Sequence, residues 1–239
     1  LESTMTSTET IIEPGEPPAA PIMPAPEQAA ELEQGTGITR AAGIVAAGNI
    51  LSSVLGLVRE IVKSDLFGAS GFVSAYNAAA YVPSMLFDLL VGGLVSSALV
   101  PMFSELAAHK DRGDLWRLLS LLLSVAVVLL SIAILVLELF APQVARLMAG
   151  GLNEDLLKVT ADLLRITVPA VLFLSLSAIV SGVLYALKRF AFPAFAAPFY
   201  NFATIVVAIL LASRLGIAAM ALGLLVGSIG QLLFQLPGL

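Results

Sequence analysis

The stretch LLSLLLSVAVVLLSIAILVLELF, residues 118–140, decides the fold. Its only charged residue is Glu138, near the far end. At about 1.5 Å of rise per residue, a helix of this length crosses the roughly 30 Å hydrocarbon layer of a bilayer. No water is available there to bond an open backbone, so the run must close its hydrogen bonds internally as a helix. The strands of a membrane barrel would alternate in polarity, and this run does not.

Five further runs read the same way, about 41–62, 75–101, 163–187, 194–212 and 217–236. The helix of the second is expected to continue to Ala108, and the fourth has a helical lead-in from Asn153. Breakers separate them: Gly68 to Gly71, Gly113, Gly150-Gly151, Pro193, Gly216 and Pro237. With 59% hydrophobic and 12% charged residues in a chain of 239, the composition is far from the quarter-charged average of soluble domains. The expected fold class is an all-α integral membrane protein of six transmembrane helices.

Two segments differ in character. Residues 1–37 carry seven glutamates, six prolines and no Lys or Arg. Such a composition cannot bury a core and reads as a disordered acidic tail, either a solvated extension or a docking arm. It lacks the basic start and apolar stretch of a signal peptide. The membrane part, 38–239, is slightly basic, with twelve basic residues against ten acidic ones. Arg40, Lys110, Arg112, Arg117, Lys188 and Arg189 would lie on one side, and Lys63, Arg146, Lys158 and Arg214 on the other. Basic residues concentrate in cytoplasmic loops, so a cytoplasmic N-terminus is expected.

Chemistry is constrained by what is missing. The chain has no cysteine and one histidine, His109, which leaves no thiolate site and no histidine-based metal site. It contains no phosphate loop, nucleophile elbow or internal repeat, and nothing that addresses nucleic acid. No cofactor or metal is expected.

Polar residues inside the spans are the remaining signal. In the first span, Asn49, Ser52, Gly56, Arg59 and Lys63 recur at steps of three and four, one face of a helix. In the second, Asn77, Tyr81, Ser84, Asp88, Gly92 and Ser96 do the same, around Pro83. A charge near mid-membrane costs roughly 2.5–3.5 kcal/mol on insertion scales, so such stripes face a cavity or a partner. Arg59 and Glu60 are adjacent, point about 100° apart, and are expected to pair poorly with each other. Asp88 is then the expected partner of Arg59. Alternatively, Arg59 snorkels to the outer interface beside Lys63. Asn201, Thr204 and the serines of the fourth span read as packing polar groups. Gly223, Gly227 and Gly230 read as a close-packing face.

At this point the sequence resembles a known family. SSVLGLVREIVKSDLFGAS (52–70), AYNAAAYVPSMLFDLLVGGLVSSALVPMFSE (75–105), LLRITVPAVLFLSLSAIVSGVLYALKRFAFPAFAAPFYN (163–201) and QLLFQLPGL (231–239) resemble, in the same order, the MurJ/MviN family of lipid II flippases. The motifs are Gly56-x-x-Arg59-Glu60, Gly92-Gly93 followed by Val100-Pro101, and Lys188-Arg189-Phe190-x-x-Pro193.

The resemblance implies one six-helix lobe of a MOP-type, MATE-like transporter. It implies no covalent chemistry, but movement of lipid II, an undecaprenyl-diphosphate-linked precursor, across the bacterial cytoplasmic membrane by alternating access. It implies membrane lipids as surroundings and a C-terminal lobe or second half as partner, since the family runs to about twice this length. By the same resemblance Arg59 meets the anionic head group, and Glu60 holds Arg59 or a second basic residue between substrate visits. Asn49, Ser52, Asn77, Ser84 and Asp88 complete the expected substrate-binding set. The chain departs from many members at Ser53, Phe87 and Asp88, where basic residues are common, and at Gly92, where an acid is. Two other readings stand beside this one: a related exporter of another polyprenyl-linked glycan or a drug, and a non-transporting scaffold of cell-wall synthesis.

Overall fold

In the computed structural model, which describes residues 26–90, 100–108 and 113–239, the glycine breakers fall at helix ends, while Pro193 lies in the first turn of the helix Ala191–Leu215 and Pro237 in a closing 3-10 turn. The helices are α1 (Pro26–Phe67), α2 (Gly71–Leu90), α3 (Val100–Ala108), α4 (Gly113–Leu139), α5 (Ala141–Ala149), α6 (Glu154–Thr167), α7 (Ala170–Ala186), α8 (Ala191–Leu215) and α9 (Ala218–Gln235), followed by a 3-10 turn at Leu236–Gly238. Gly68 (φ +62°) closes α1, and Gly216 (φ +55°) closes α8. Both have a positive φ, which glycine adopts without a side-chain penalty. Asn153 caps α6, its Oδ1 accepting from the Leu156 amide at 2.9 Å.

The chain divides into two units, residues 1–40 and 41–239. In the first, residues 26–40 are helical, so residues 26–37 of the expected disordered tail belong to α1. Residues 1–25 lie outside the described residues.

Five helical segments among the described residues are long and apolar enough to cross a membrane: Thr39–Phe67, Gly113–Leu139, Glu154–Ala186, Ala191–Leu215 and Ala218–Gly238. The sixth expected span, 75–101, falls on α2 and the start of α3. Its middle, with Gly92 and Ser96, lies outside the described residues, as do Lys110 and Arg112. The fourth span and its lead-in, expected over 153–187, form the single membrane-suited segment Glu154–Ala186, broken in two. Pro169 has no amide hydrogen to continue the ladder, and α6 gives way to α7 there. Helix α5 occupies part of the stretch between the third and fourth expected spans.

The segment α6–α7 is the most enclosed, with 61% of its most apolar stretch buried, against 11% for α4 and 6% for the membrane-suited part of α1. The larger core joins α2 (Ala75, Ala79, Val82), α5 (Ala141, Ala145), α6 (Ala161, Leu164) and α9 (Met220, Ala221). Small residues dominate because lipid tails are as apolar as leucine. Helices in a bilayer therefore associate through close backbone packing. A second core gathers Phe103 of α3, Leu115 and Leu119 of α4, and Ile179 and Val183 of α7.

Close backbone approaches line the glycine face of α9. A β-carbon added at Gly223 would stand 2.8 Å from the Thr204 carbonyl oxygen, and one at Gly227 2.7 Å from Thr204 Oγ1 and 2.8 Å from the Tyr200 carbonyl. Across α7 and α9, buried Ser177 Oγ accepts from Gln235 Nε2 at 2.9 Å and Gln231 Nε2 at 3.0 Å.

The two interior prolines also direct packing. Pro83 cannot donate to the Ala79 carbonyl in α2, and Thr167 Oγ1 of α6 reaches that oxygen at 3.2 Å. Pro198 likewise frees the Ala194 carbonyl in α8. Gly48 of α1 packs directly on it, leaving no room for a side chain.

Gly227→Ala is expected to destabilise the bundle by about 1–3 kcal/mol through overpacking. Gly43→Ala, where nothing lies within 4 Å of the new methyl, should leave stability unchanged or raise it by up to about 1 kcal/mol. Thermal unfolding in detergent micelles compares the two.

Candidate functional site

The polar stripe of α1 does not end in solvent. The guanidinium of Arg59 donates from Nη1 to Asn201 Oδ1 of α8 at 3.1 Å, and from Nη2 to Glu60 Oε1 at 3.3 Å. Asn201 turns its other end to the same stripe, Nδ2 donating to the Ser52 carbonyl at 3.2 Å and to Ser52 Oγ at 3.3 Å. Glu60 presents its second oxygen, Oε2, to the Lys63 ammonium. Lys63 Nζ also donates to Asn77 Oδ1 of α2 at 3.0 Å and stands 5.8 Å from the centre of the Tyr76 ring. One connected cluster thus ties α1 to α2 and α8.

Three expectations change. Arg59 and Glu60 do pair: although their Cβ atoms diverge, both side chains are long enough to curl towards each other. Arg59 does not bond Asp88. Lys63 meets Asn77 across the short α1–α2 turn, so Arg59, four residues back, lies level with the turn after Asn77. Asp88 is eleven residues beyond Asn77, about 16 Å further along α2. Nor does Arg59 snorkel outward, since it is bonded to Asn201. That residue lies about 15 Å along α8 from its start, near the middle of a bilayer-spanning helix.

Of the residues expected at the site, Ser52, Arg59, Glu60 and Asn77 come together. The other three stay apart. Asn49 is exposed, and its carbonyl accepts from Ser53 Oγ at 2.9 Å. Ser84 Oγ returns to the Ala80 carbonyl of its own helix at 3.1 Å, and Asp88 is exposed. Lys63 and Asn201 join the cluster in roles the sequence reading did not assign. Lys63 closes the α1 stripe, where its charge also suits an outer-side position, and Asn201 is the only amide side chain within the apolar run of α8.

Exposure is graded across the cluster. The side chains of Lys63, Arg59 and Glu60 are 9%, 26% and 49% exposed. Two cations and one carboxylate leave one net positive charge, and the carboxylate is the most accessible of the three. An anion arriving from the open side would meet Glu60 and Arg59 first. The planar guanidinium can exchange one carboxylate oxygen for another anionic oxygen while Asn201 keeps its other nitrogen.

The fold defines the class. A MOP superfamily transporter from Pyrococcus furiosus superposes with a TM-score of 0.68 at 15% identity, over 83% of this chain and 43% of that one. A solved structure of the lipid II flippase MurJ in an inward closed conformation superposes with a TM-score of 0.70 at 26% identity, over 82% of this chain and 41% of that one. The bundle is therefore a MOP-type transporter fold, embedded in the membrane.

Residues 63–239 match the family model described as lipid II flippase MurJ, and the chain belongs to that family. The lipid II flippase MurJ of Burkholderia cenocepacia is 33% identical over 204 residues, 84% of this chain and 40% of its own length. That of Thermosipho africanus is 30% identical over 179 residues, 74% of this chain and 36% of its own. The chain spans about 40% of the length of the relatives it matches.

Asn201→Leu removes the bonds that hold Arg59 and Ser52 to α8. It should lower stability by about 1–3 kcal/mol, the cost of stranding buried polar groups. Ser84→Ala, whose hydroxyl bonds only its own helix, should change little. Thermal unfolding of the two variants side by side checks this.

Proposed function

We propose that the chain is the N-terminal lobe of a lipid II flippase, a transporter and not an enzyme, in the bacterial cytoplasmic membrane with its N-terminus on the cytoplasmic side. It works with a second lobe to carry the undecaprenyl-diphosphate-linked precursor between leaflets by alternating access. The observation that carries this reading is the bonding of Arg59: one nitrogen fixed by Asn201, the other on an exposed carboxylate that an incoming anion can displace.

In this mechanism a diphosphate oxygen takes the place of Glu60 on Nη2. The guanidinium suits the task because it stays charged at every physiological pH and forks onto two acceptors. Ser52 and Asn201 keep its plane aimed while Glu60 exchanges. Family membership and the match of the fold over 82% of the chain support the substrate. The flippases it resembles carry names that give lipid II as cargo.

The test expresses the complete coding frame in cells depleted of their own lipid II flippase. The parent should restore growth and Arg59→Ala should abolish it. Arg59→Lys should restore it only partly, because an ammonium cannot hold Asn201 and a diphosphate in two fixed directions. Full rescue by Arg59→Ala at equal expression overturns the role of Arg59. Failure of the parent to rescue, with loss of a different surface glycan on deletion from its own host, would favour the related-exporter reading.

A further inference from the structure

The place of Lys63 is not explained by a head-group contact. It is the most covered of the three charged residues, 9% exposed at the side chain. Its ammonium is enclosed by Glu60 Oε2, Asn77 Oδ1 at 3.0 Å and the Tyr76 ring at 5.8 Å. Glu60, 49% exposed, stands between Arg59 and Lys63 and bonds both through different oxygens. A ligand on the open side reaches Arg59 and Glu60 without touching Lys63.

We infer that Lys63 is a positioning residue for head-group binding: it holds Glu60 as its own counter-ion, so that Arg59 is left as the uncompensated cation for a polyprenyl diphosphate. This rests on the assignment of Arg59 as the head-group ligand. Without Lys63, the carboxylate would have a single cation to neutralise. An Arg–Glu pair carries no net charge, and an incoming diphosphate would have to strip off the carboxylate and leave it beside the bound anion with no cation to offset their repulsion. With Lys63 present, Glu60 gives up one oxygen's bond and keeps the other. The exchange at Arg59 then swaps one anion for another and strands neither.

The same geometry separates this role from direct binding. A direct ligand would be lost for good with its ammonium, whereas a counter-ion becomes dispensable once the charge it offsets is removed. The experiment measures binding of undecaprenyl diphosphate to the protein from the complete coding frame, held in phosphatidylcholine nanodiscs.

Lys63→Met should weaken binding about tenfold, the scale of one lost charge-assisted contact. Lys63→Arg, which keeps the charge but not the compact ammonium, should lie between the parent and Lys63→Met. The double variant Glu60→Gln with Lys63→Met should return to within about threefold of the parent, because Arg59 again carries the net charge. A double variant as weak as Lys63→Met overturns the inference, whether Lys63 is a direct ligand or only a support of the fold. Parental binding by Lys63→Met overturns it as well. Arg59→Ala is the separate control. If that variant binds as the parent does, the head-group reading of Arg59 fails first, and the role of Lys63 falls with it.

Discussion

A polar group inside a bilayer must find its partner within the protein, and this requirement organises the chain. It makes each long apolar run a helix. It also decides where the helices meet. Pro83 leaves the Ala79 carbonyl without its helical donor, and α6 supplies Thr167 there. Pro198 does the same to Ala194, and α1 brings Gly48 against that oxygen. Arg59 needs acceptors, and α8 presents Asn201. Thr167 and Asn201 dock their helices by supplying a donor or an acceptor, and small residues such as Gly48 let backbones come close.

The requirement also sorts the faces of α1. Ile50, Val54, Leu57 and Ile61 recur at steps of four, three and four and are all more than half exposed. Ser52, Gly56, Arg59 and Lys63 occupy a different face and carry the bonds to α2 and α8. Because so little of this helix is buried, its attachment depends on few contacts: the Gly48 approach, the Asn201 bridge and the Lys63–Asn77 bond. Each is polar or backbone-close. The pair α8–α9 is held differently, by a glycine face that admits no methyl group. The site thus lies between a tightly packed hairpin and a helix fastened at a few polar points.

Most of this architecture was legible in the sequence. The run 118–140 declared a membrane helix, the glycines and prolines marked the breaks, and the three-four stripe placed Ser52, Arg59 and Lys63 on one face. Periodicity, however, fixes only the angle of a residue about its own helix. It says nothing of the axial register between helices, and register chooses partners. Hence Asp88, correctly placed on the second polar stripe, lies too far along α2 to meet Arg59. Asn201 carries no charge and belongs to no stripe, so nothing local distinguished it from a packing amide. The same blindness hid the Arg59–Glu60 bond. A 100° separation at Cβ excludes contact for short side chains, but not for two long ones with a shared reason to turn inward.

The division of labour between the two cations follows from their chemistry. A guanidinium has donors pointing in several fixed directions, so Arg59 can be anchored on one side and exchangeable on the other at the same time. A lysine in its place would spend its compact charge on whichever partner was nearest, and Asn201 and Glu60 would compete for it. At position 63 the demand is the opposite. The charge is to be covered and kept near one carboxylate, and an ammonium against an amide oxygen, a carboxylate and an aromatic face does this in little space. Arg59 and Lys63 lie one helical turn apart on the same face, so both reach the single carboxylate between them. Glu60 lies beside that face, next to Arg59 and three residues before Lys63, near enough to bond both.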